Sequence, residues 1–273
     1  MSITTLLYGG MGNQMFQFSI GHFIASRTGK KLTIDNKFFD DVNCDREYDL
    51  DVFENFCALN IEKNIDRTNA TVVHDPGNIT KNWIGNVTAA ANKTDIVLDG
   101  HFQQGAHVTR DLLEIFFQPA YKTEAAKNFA EQITDNDLML NVRRTDYVTS
   151  KQFPFLEKPY HDRAFEKFDQ YDNVYVFSDE PEWCRQNLHQ SFIVVGHEYA
   201  GPKFYDYLKM MKRFKKMIIP NSTFAWWAAV EATVLDSTVE VVCPNWDLWY
   251  DINAQRAKNL MLDQWTKIER CVL

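Results

Sequence analysis

Apolar and polar positions follow two periods along the chain, and the changes between them mark the elements. Ser2 to Tyr8 is a β-prone run that stops at Gly9-Gly10, and from Asn13 onward Phe16, Ile20, Phe23 and Ile24 recur at helical spacing. The pattern predicts strand, glycine turn and helix, then a second short strand over Leu32 to Asp35. From Phe38 to about Thr94 neither period holds, and Tyr48, Phe53 and Phe56 are the expected anchors. Ile96-Val97-Leu98 reads as a strand ending in Asp99-Gly100, and Asp111 to Phe117 as a helix that Pro119 stops.

Beyond that proline the alternation becomes regular. Helices are predicted near Thr123 to Ile133, Tyr160 to Phe168, Pro181 to Leu188, Lys203 to Phe214 and Phe224 to Leu235. Between them fall strands at Leu138 to Val142, Val174 to Phe177, Phe192 to Val195, Met217 to Ile219 and Val239 to Cys243. Such alternation predicts an α/β fold with a parallel sheet covered on both faces, and ligands at the carboxyl ends of its strands. A boundary between Pro119 and Lys122 divides the chain into domains 1–120 and 121–273, with a C-terminal helix expected to pack back on the first domain.

With 45% apolar and 24% charged residues the chain is a folded globular protein, which excludes disorder, collagen and low-complexity arrays. Its 29 Lys and Arg against 37 Asp and Glu give a net charge of −8, the wrong sign for nonspecific nucleic-acid binding or adhesion to anionic lipid. A bound anion must therefore meet a local cationic site. The basic run Lys212 to Lys216 reads as a solvated helix end. Five cysteines with no C-x-x-C pair, and no secretion-signal pattern or long apolar run, lead to the expectation of a reduced, cytoplasmic protein without an integral membrane segment. Oligomeric state leaves no trace in the pattern.

Four constellations stand at predicted strand ends. Gly9-Gly10-Met11-Gly12-Asn13-Gln14 opens a helix, where glycines let backbone amides approach an anion; the bland alternative is a tight turn. Arg143-Arg144-Thr145-Asp146 ends an apolar strand, so one arginine can grip a phosphate while the other pairs with a carboxylate such as Asp146; the alternative is an ordinary salt-bridged strand end. In Ser178-Asp179-Glu180-Pro181, Asp179 can accept from a ribose or a base, or simply cap a helix. Asn221-Ser222-Thr223 precedes Phe224-Ala225-Trp226-Trp227, where polar groups can close round a diphosphate or merely cap a helix with tryptophan packing behind. Asp49-Leu50-Asp51 and Asp135-Asn136-Asp137 have a D-x-D spelling but follow no convincing strand, and the seven histidines show no metal-ligand spacing.

Taken together, GGMGNQMFQFSIGHFIASRTGKKL at the N-terminus, LDGHFQQGAHV at 98–108, NVRRTDYV at 141–148, VFSDEPEWCRQNL at 176–188 and MIIPNSTFAWWAA at 217–229 resemble the α-1,2-fucosyltransferase family. The resemblance implies a B-type glycosyltransferase fold of two facing Rossmann-like domains, an N-terminal acceptor side and a C-terminal GDP-sugar-binding side. It also implies inverting transfer of L-fucose from GDP-fucose to the 2-hydroxyl of a galactose-type residue in a glycan, with no metal and no further cofactor. Carried over by position, Arg144 binds the β-phosphate and stabilises departing GDP. Gly10, Gly12, Asn13, Asn141, Arg143, Asp179, Asn221, Ser222 and Thr223 line the donor site, and Arg144, Asp146 and Asn13 form the catalytic set.

One departure from the family pattern is Asn141, where the motif begins with His; Asn cannot titrate, so acid or base work is not assigned to it. Asp146, Glu157, His101 and Asp35 are the candidate bases, and a loose displacement needing little base assistance is the alternative. Two further alternatives keep the fold: a different sugar or linkage from a GDP donor, or a noncatalytic GDP- or glycan-binding protein.

Overall fold

The computed structural model describes residues 1–54, 60–62, 68–117, 120–151, 153–156, 158–249 and 258–269. Phe56 and Glu157 lie outside them. The chain separates into two compact units, Met1–Gln118 and Pro119–Leu273.

The first unit is a five-stranded parallel sheet in the order β3-β2-β1-β5-β4, from β1 (Ser2–Leu6), β2 (Lys31–Asp35), β3 (Asn60–Glu62), β4 (Thr71–His74) and β5 (Ile96–Asp99). Helix α1 (Met11–Thr28) follows the glycine turn. It lies close to the sheet because Gly21 has no Cβ: one there would sit 2.9 Å from Leu32 Cδ1 and 3.2 Å from Thr5 Cβ. Ile3, Ile20, Ile24, Ile96, Leu98 and Phe102 form its core with Val87 and Ala91 of α2 (Lys81–Ala91), and Phe18, Phe53 and Phe116 meet edge to face, the last from α3 (Arg110–Phe116).

The stretch without a period holds β3, β4 and α2. Its elements are weakly patterned because they are shallow. β4 is an edge strand with three exposed positions, and α2 buries two residues while its N-terminus is fixed by Thr80 Oγ1 accepting from the Trp83 amide at 3.1 Å.

The second unit holds β6 (Leu138–Val142), β7 (Val174–Ser178), β8 (Ile193–Val194), β9 (Lys216–Ile218), β10 (Glu240–Pro244) and β11 (Thr266–Ile268), all parallel, in the order β11-β10-β9-β6-β7-β8. Numbered from the unit's own first strand, this is the doubly wound dinucleotide-fold order read from one edge. The connecting helices are α4 (Glu124–Ala130), α5 (Lys158–Phe165), α6 (Pro181–Asn187), α7 (Tyr205–Met211) and α8 (Thr223–Leu235). Two Rossmann-like units in succession are what the resemblance to B-type glycosyltransferases requires.

One sequence expectation meets a different outcome. The run Lys212 to Lys216 is not a solvated helix end. Lys212 Nζ donates to the buried Glu231 of α8 at 2.6 Å, Lys215 pairs with Asp135 at 2.7 Å, and Lys216 donates to Asn136 and to the Gln170 carbonyl. Sequence spacing alone hides Glu231, which sits on another element. Trp226 and Trp227 are wholly buried, Trp226 Nε1 donating to the Leu260 carbonyl at 2.6 Å, which agrees with the reading of tryptophans packed behind the turn. Residues 258–269 hold a 3-10 turn, Lys258–Leu260, and strand β11, and the expected C-terminal helix lies outside the described residues.

Candidate active site

In a doubly wound sheet the ligand crevice opens where the strand order reverses, beyond the carboxyl ends of the two strands on either side. In the second unit those strands are β6 and β9. β6 runs out into Arg143-Arg144, and β9 into Asn221-Ser222 and the N-terminus of α8.

The two arginines part at the strand end and meet different partners. Arg143 spreads its fork over two carboxylates, Asp179 and Asp146, and lies 5.0 Å from the Tyr147 ring centroid. Arg144 turns the other way. Its Nε donates to Glu180 Oε2 at 2.9 Å, and its guanidinium lies 3.6 Å above the Trp183 ring and 5.2 Å from that of Phe155. The terminal nitrogens of Arg144 make no hydrogen bond to any described residue, although the side chain is only 13% exposed. A guanidinium held through Nε and through its face presents its remaining N–H groups in a fixed fork, the geometry that suits a phosphate.

Asp179 is the organiser of this turn. One oxygen accepts from the Arg144 amide at 2.9 Å, the other from Arg143 and from Thr145 Oγ1 at 2.6 Å. It does not cap α6; Ser178 Oγ accepts from the Glu180 amide instead, and Pro181 takes the first helical position, where its missing N–H costs nothing. With both oxygens engaged, Asp179 braces the arginine turn. Asp146, about half exposed, accepts from Arg143 and Thr145 Oγ1. Asn141 donates through Nδ2 to the Phe177 carbonyl at 2.9 Å, tying β6 to β7.

The β9 turn is stitched to the β6 turn. Tyr147 Oη donates to the Asn221 carbonyl at 3.0 Å, and Asn221, 2% exposed, donates through Nδ2 to the Pro154 carbonyl at 3.0 Å. Asn221 is thus structural to the turn. Ser222 precedes α8 without a side-chain cap, and its hydroxyl makes no hydrogen bond to any described residue. Thr223 is the first residue of α8, whose uncapped N-terminus adds partial positive charge next to the arginine turn. Beside Arg144 a cavity of about 470 Å³ is lined by Glu180, Trp183, Arg185, Gly196 and His197, with His197 Nε2 3.0 Å from the Ser178 carbonyl. Glu180 and Trp183 escaped the sequence reading; the one available signal was their nearness to Asp179 in chain order.

In the first unit the reversal falls between β1 and β5. Gly9 takes φ +76°, and a Cβ there would lie 2.9 Å from Asn13 Nδ2, so only glycine fits the turn. Gly10 caps α1 and Gly12 is buried in its first turn. Asn13 Oδ1 accepts from Gln103 Nε2 at 2.8 Å, joining the glycine turn to the segment after β5. Gln14 locks the turn to the next loop, donating to the Gly9 and Glu47 carbonyls at 2.9 and 2.8 Å and accepting from the Asp49 amide at 2.8 Å. Asp49 is therefore a loop brace, as is Asp137, buried and accepting from Thr134 and Asn173. Of the candidate bases, His101 packs edge-on against Tyr8 with centroids 4.9 Å apart, and Asp35 is buried at the end of β2, accepting from the Lys37 amide at 3.0 Å.

The second unit is a Rossmann-type unit with an arginine fork and a helix N-terminus at its switch point, features that suit a phosphorylated ligand. Residues 88–269 match glycosyl transferase family 11, and the chain belongs to that family; it is a glycosyltransferase. It is 24% identical to the O-antigen biosynthesis glycosyltransferase WbnK of Escherichia coli, over 96% of this chain and 99% of that one. It is also 24% identical to an Escherichia coli alpha-1,2-colitosyltransferase, over 83% of this chain and 86% of the relative. Among solved structures it is similar to the fucosyltransferase NodZ from Bradyrhizobium, at 14% identity and a TM-score of 0.49, covering 83% of this chain and 91% of that one. Among the described residues no helix is long and apolar enough to cross a membrane.

Proposed function

We propose that this glycosyltransferase moves L-fucose from GDP-fucose to the 2-hydroxyl of a galactose-type residue in a glycan, with inversion. The observation that carries the reading is Arg144, clamped through Nε by Glu180 and through its guanidinium face by the Trp183 ring, while its terminal nitrogens meet no described residue. Departure of GDP builds negative charge on the β-phosphate, and a pre-set guanidinium with helix amides stabilises that charge without reorganising. This chemistry calls for no metal. The nucleoside is assigned to the cavity at Trp183 and His197, and the Ser222 hydroxyl and Thr223 to the diphosphate. Arg143, Asp179 and Asp146 hold the arginine turn in shape. Because Asp146 is committed to Arg143, the displacement is assigned a loose transition state in which the sugar carries positive charge before the acceptor hydroxyl closes in. The acidic chain with reduced cysteines is assigned to the cytoplasm.

A second reading rests on one finding, the alpha-1,2-colitosyltransferase relative. Colitose is fucose without its 3-hydroxyl, so one phosphate-gripping site can serve either donor, and the 2-linkage is common to both readings. The test is GDP release from GDP-fucose and from its colitosyl counterpart, with EDTA present, across a panel of β-galactosides, followed by linkage analysis. Acceptor-dependent release giving a 2-linked product supports the transfer, and the faster donor decides between the sugars. GDP binding with no turnover across the panel would refute it in favour of a binding protein.

A further inference from the structure

Among the described residues two aromatic side chains stand out as exposed, Phe204 at 41% and Phe38 at 49%. Phe204 is packed edge-on between His197 and Tyr207, with centroids 5.1 and 5.7 Å away, so its exposure is the rim of an aromatic cluster. Phe38 is placed differently. It follows β2 by three residues, at the carboxyl edge of the first sheet, where ligands enter an α/β fold.

Behind it stands a fixed aromatic wall. The Tyr8 ring lies 5.9 Å from that of Phe38 at a tilt of 55°, and Phe39 meets it edge-on at 5.4 Å. Tyr8 is held by its amide donating to Gln17 Oε1 at 3.0 Å and by the edge-on contact with His101. Neither aromatic neighbour of Phe38 is stacked face to face on it. Tyr8 leads directly into the glycine turn, where Asn13 sits and where Arg46 Nη1 lies 3.8 Å from the position a Gly10 Cβ would take. Apolar ring and polar rim are thus neighbours.

A pyranose has this same division. One face of a galactose-type ring gathers C–H groups, which favour an aromatic face, while its edge carries hydroxyls that need amide and guanidinium partners. A single exposed phenylalanine elsewhere would need no explanation, but one continuous with a half-buried aromatic wall and next to a polar turn at the sheet's ligand edge does. We infer that the ring of Phe38, backed by Tyr8, is the platform on which a pyranose of the acceptor glycan stacks. The inference deepens the proposed transfer reaction and rests on it for the identity of that pyranose.

The test uses the full chain and variants Phe38→Ala, Phe38→Leu and Phe38→Trp, with methyl β-D-galactopyranoside and lactose as probes. Saturation transfer from protein to sugar, measured by NMR with GDP present, reads binding without turnover. Ala and Leu are expected to weaken sugar binding about tenfold, while Trp keeps it within about threefold. GDP affinity and the thermal midpoint stay at wild-type values in all three. In turnover the acceptor KM rises for Ala and Leu, with kcat and acceptor-free donor hydrolysis unchanged. Sugar binding retained within about twofold in Phe38→Ala, or a leucine as good as phenylalanine, overturns the assignment. So does a concentration-dependent dimer that Phe38→Ala abolishes while sugar binding stays intact, since the face would then serve self-association. Loss of the donor reading shows instead as a wild type that neither binds GDP nor hydrolyses the donor, and leaves the sugar-binding arm to decide on Phe38.

Discussion

Replacing Arg144 by lysine keeps a positive charge and removes the fork, so it isolates what the clamp contributes. In the wild type Nε is occupied by Glu180 at 2.9 Å and the face by Trp183 at 3.6 Å, leaving the terminal nitrogens for the ligand. A hydrogen bond to a charged group is worth about 1.5–3 kcal/mol, and a lysine ammonium can recover one such contact but not a paired set. Losing the other costs about 10- to 150-fold in GDP affinity. Turnover falls further, because charge on the departing diphosphate peaks in the transition state, and removal of one pre-set donor there costs on the order of 10²–10³. Folding is little affected, since Glu180 is 33% exposed and water replaces its partner. Titration calorimetry with GDP and initial rates at saturating acceptor read the two effects separately, with the thermal midpoint as control. A folded Arg144→Lys protein whose kcat/KM stays within about threefold of wild type refutes the assignment of phosphate binding to this residue.

Asp179→Ala removes the brace at the Arg144 amide and Thr145 and leaves Arg143, a side chain 20% exposed, with Asp146 as its one carboxylate, so the denaturant midpoint should fall by the equivalent of about 1.5–3 kcal/mol; a change below about 0.5 kcal/mol would show the turn to be held elsewhere. His107 is wholly buried, neither ring nitrogen meets hydrogen-bond geometry with a described group, and burial lowers its pKa from 6.5 to about 3. The unfolded chain binds the proton first, so stability present above pH 6.5 is lost as pH falls toward 3, and His107→Leu should flatten that limb of the acid-unfolding curve. Burial raises Glu231 from 4.5 to about 8 and, first among its causes, lowers Lys209 from 10.5 to about 8. The fold holds the extra proton between 4.5 and 8, and the unfolded chain holds it between 8 and 10.5. Stability should therefore fall toward pH 8 and recover above it, a minimum that Glu231→Gln removes from its acid side and that denaturant midpoints at three pH values detect.

The second unit was legible because its elements are buried on both sides. Val174 to Ser178 is buried throughout and Leu138, Met139 and Leu140 are closed to solvent, so each strand reads as an apolar block between helical periods. β11 was missed because a three-residue strand with one buried position leaves no block to see. In the first unit β4 and α2 expose most of their residues, and what fixes them is a cap at Thr80 and edge pairing to β5, neither of which shows as a period. The site was legible in its glycines and arginines. Its partners were not, since Glu180 and Trp183 act across the gap between β6 and β7, and that gap exists only after the sheet has formed.

The doublet Arg143-Arg144 shows how the fold assigns different work to like residues. Adjacent positions at a strand end diverge, so the two forks cannot share a target. The inner one is neutralised by Asp146 and Asp179, both supplied by the turns that β6 and β7 open. That arrangement makes Asp179 accept from the Arg144 amide as well, which fixes the backbone from which the second side chain leaves. Arg144 meets only one carboxylate, and at Nε rather than at its tip. Were Glu180 to reach the terminal nitrogens, the cation would be consumed by the protein, as Arg143 is. Exchanging the two acids, Asp179→Glu with Glu180→Asp, moves each carboxylate by one methylene and should therefore cost both the fold of the turn and the grip on the ligand, whereas either arginine replaced alone should cost chiefly one of them.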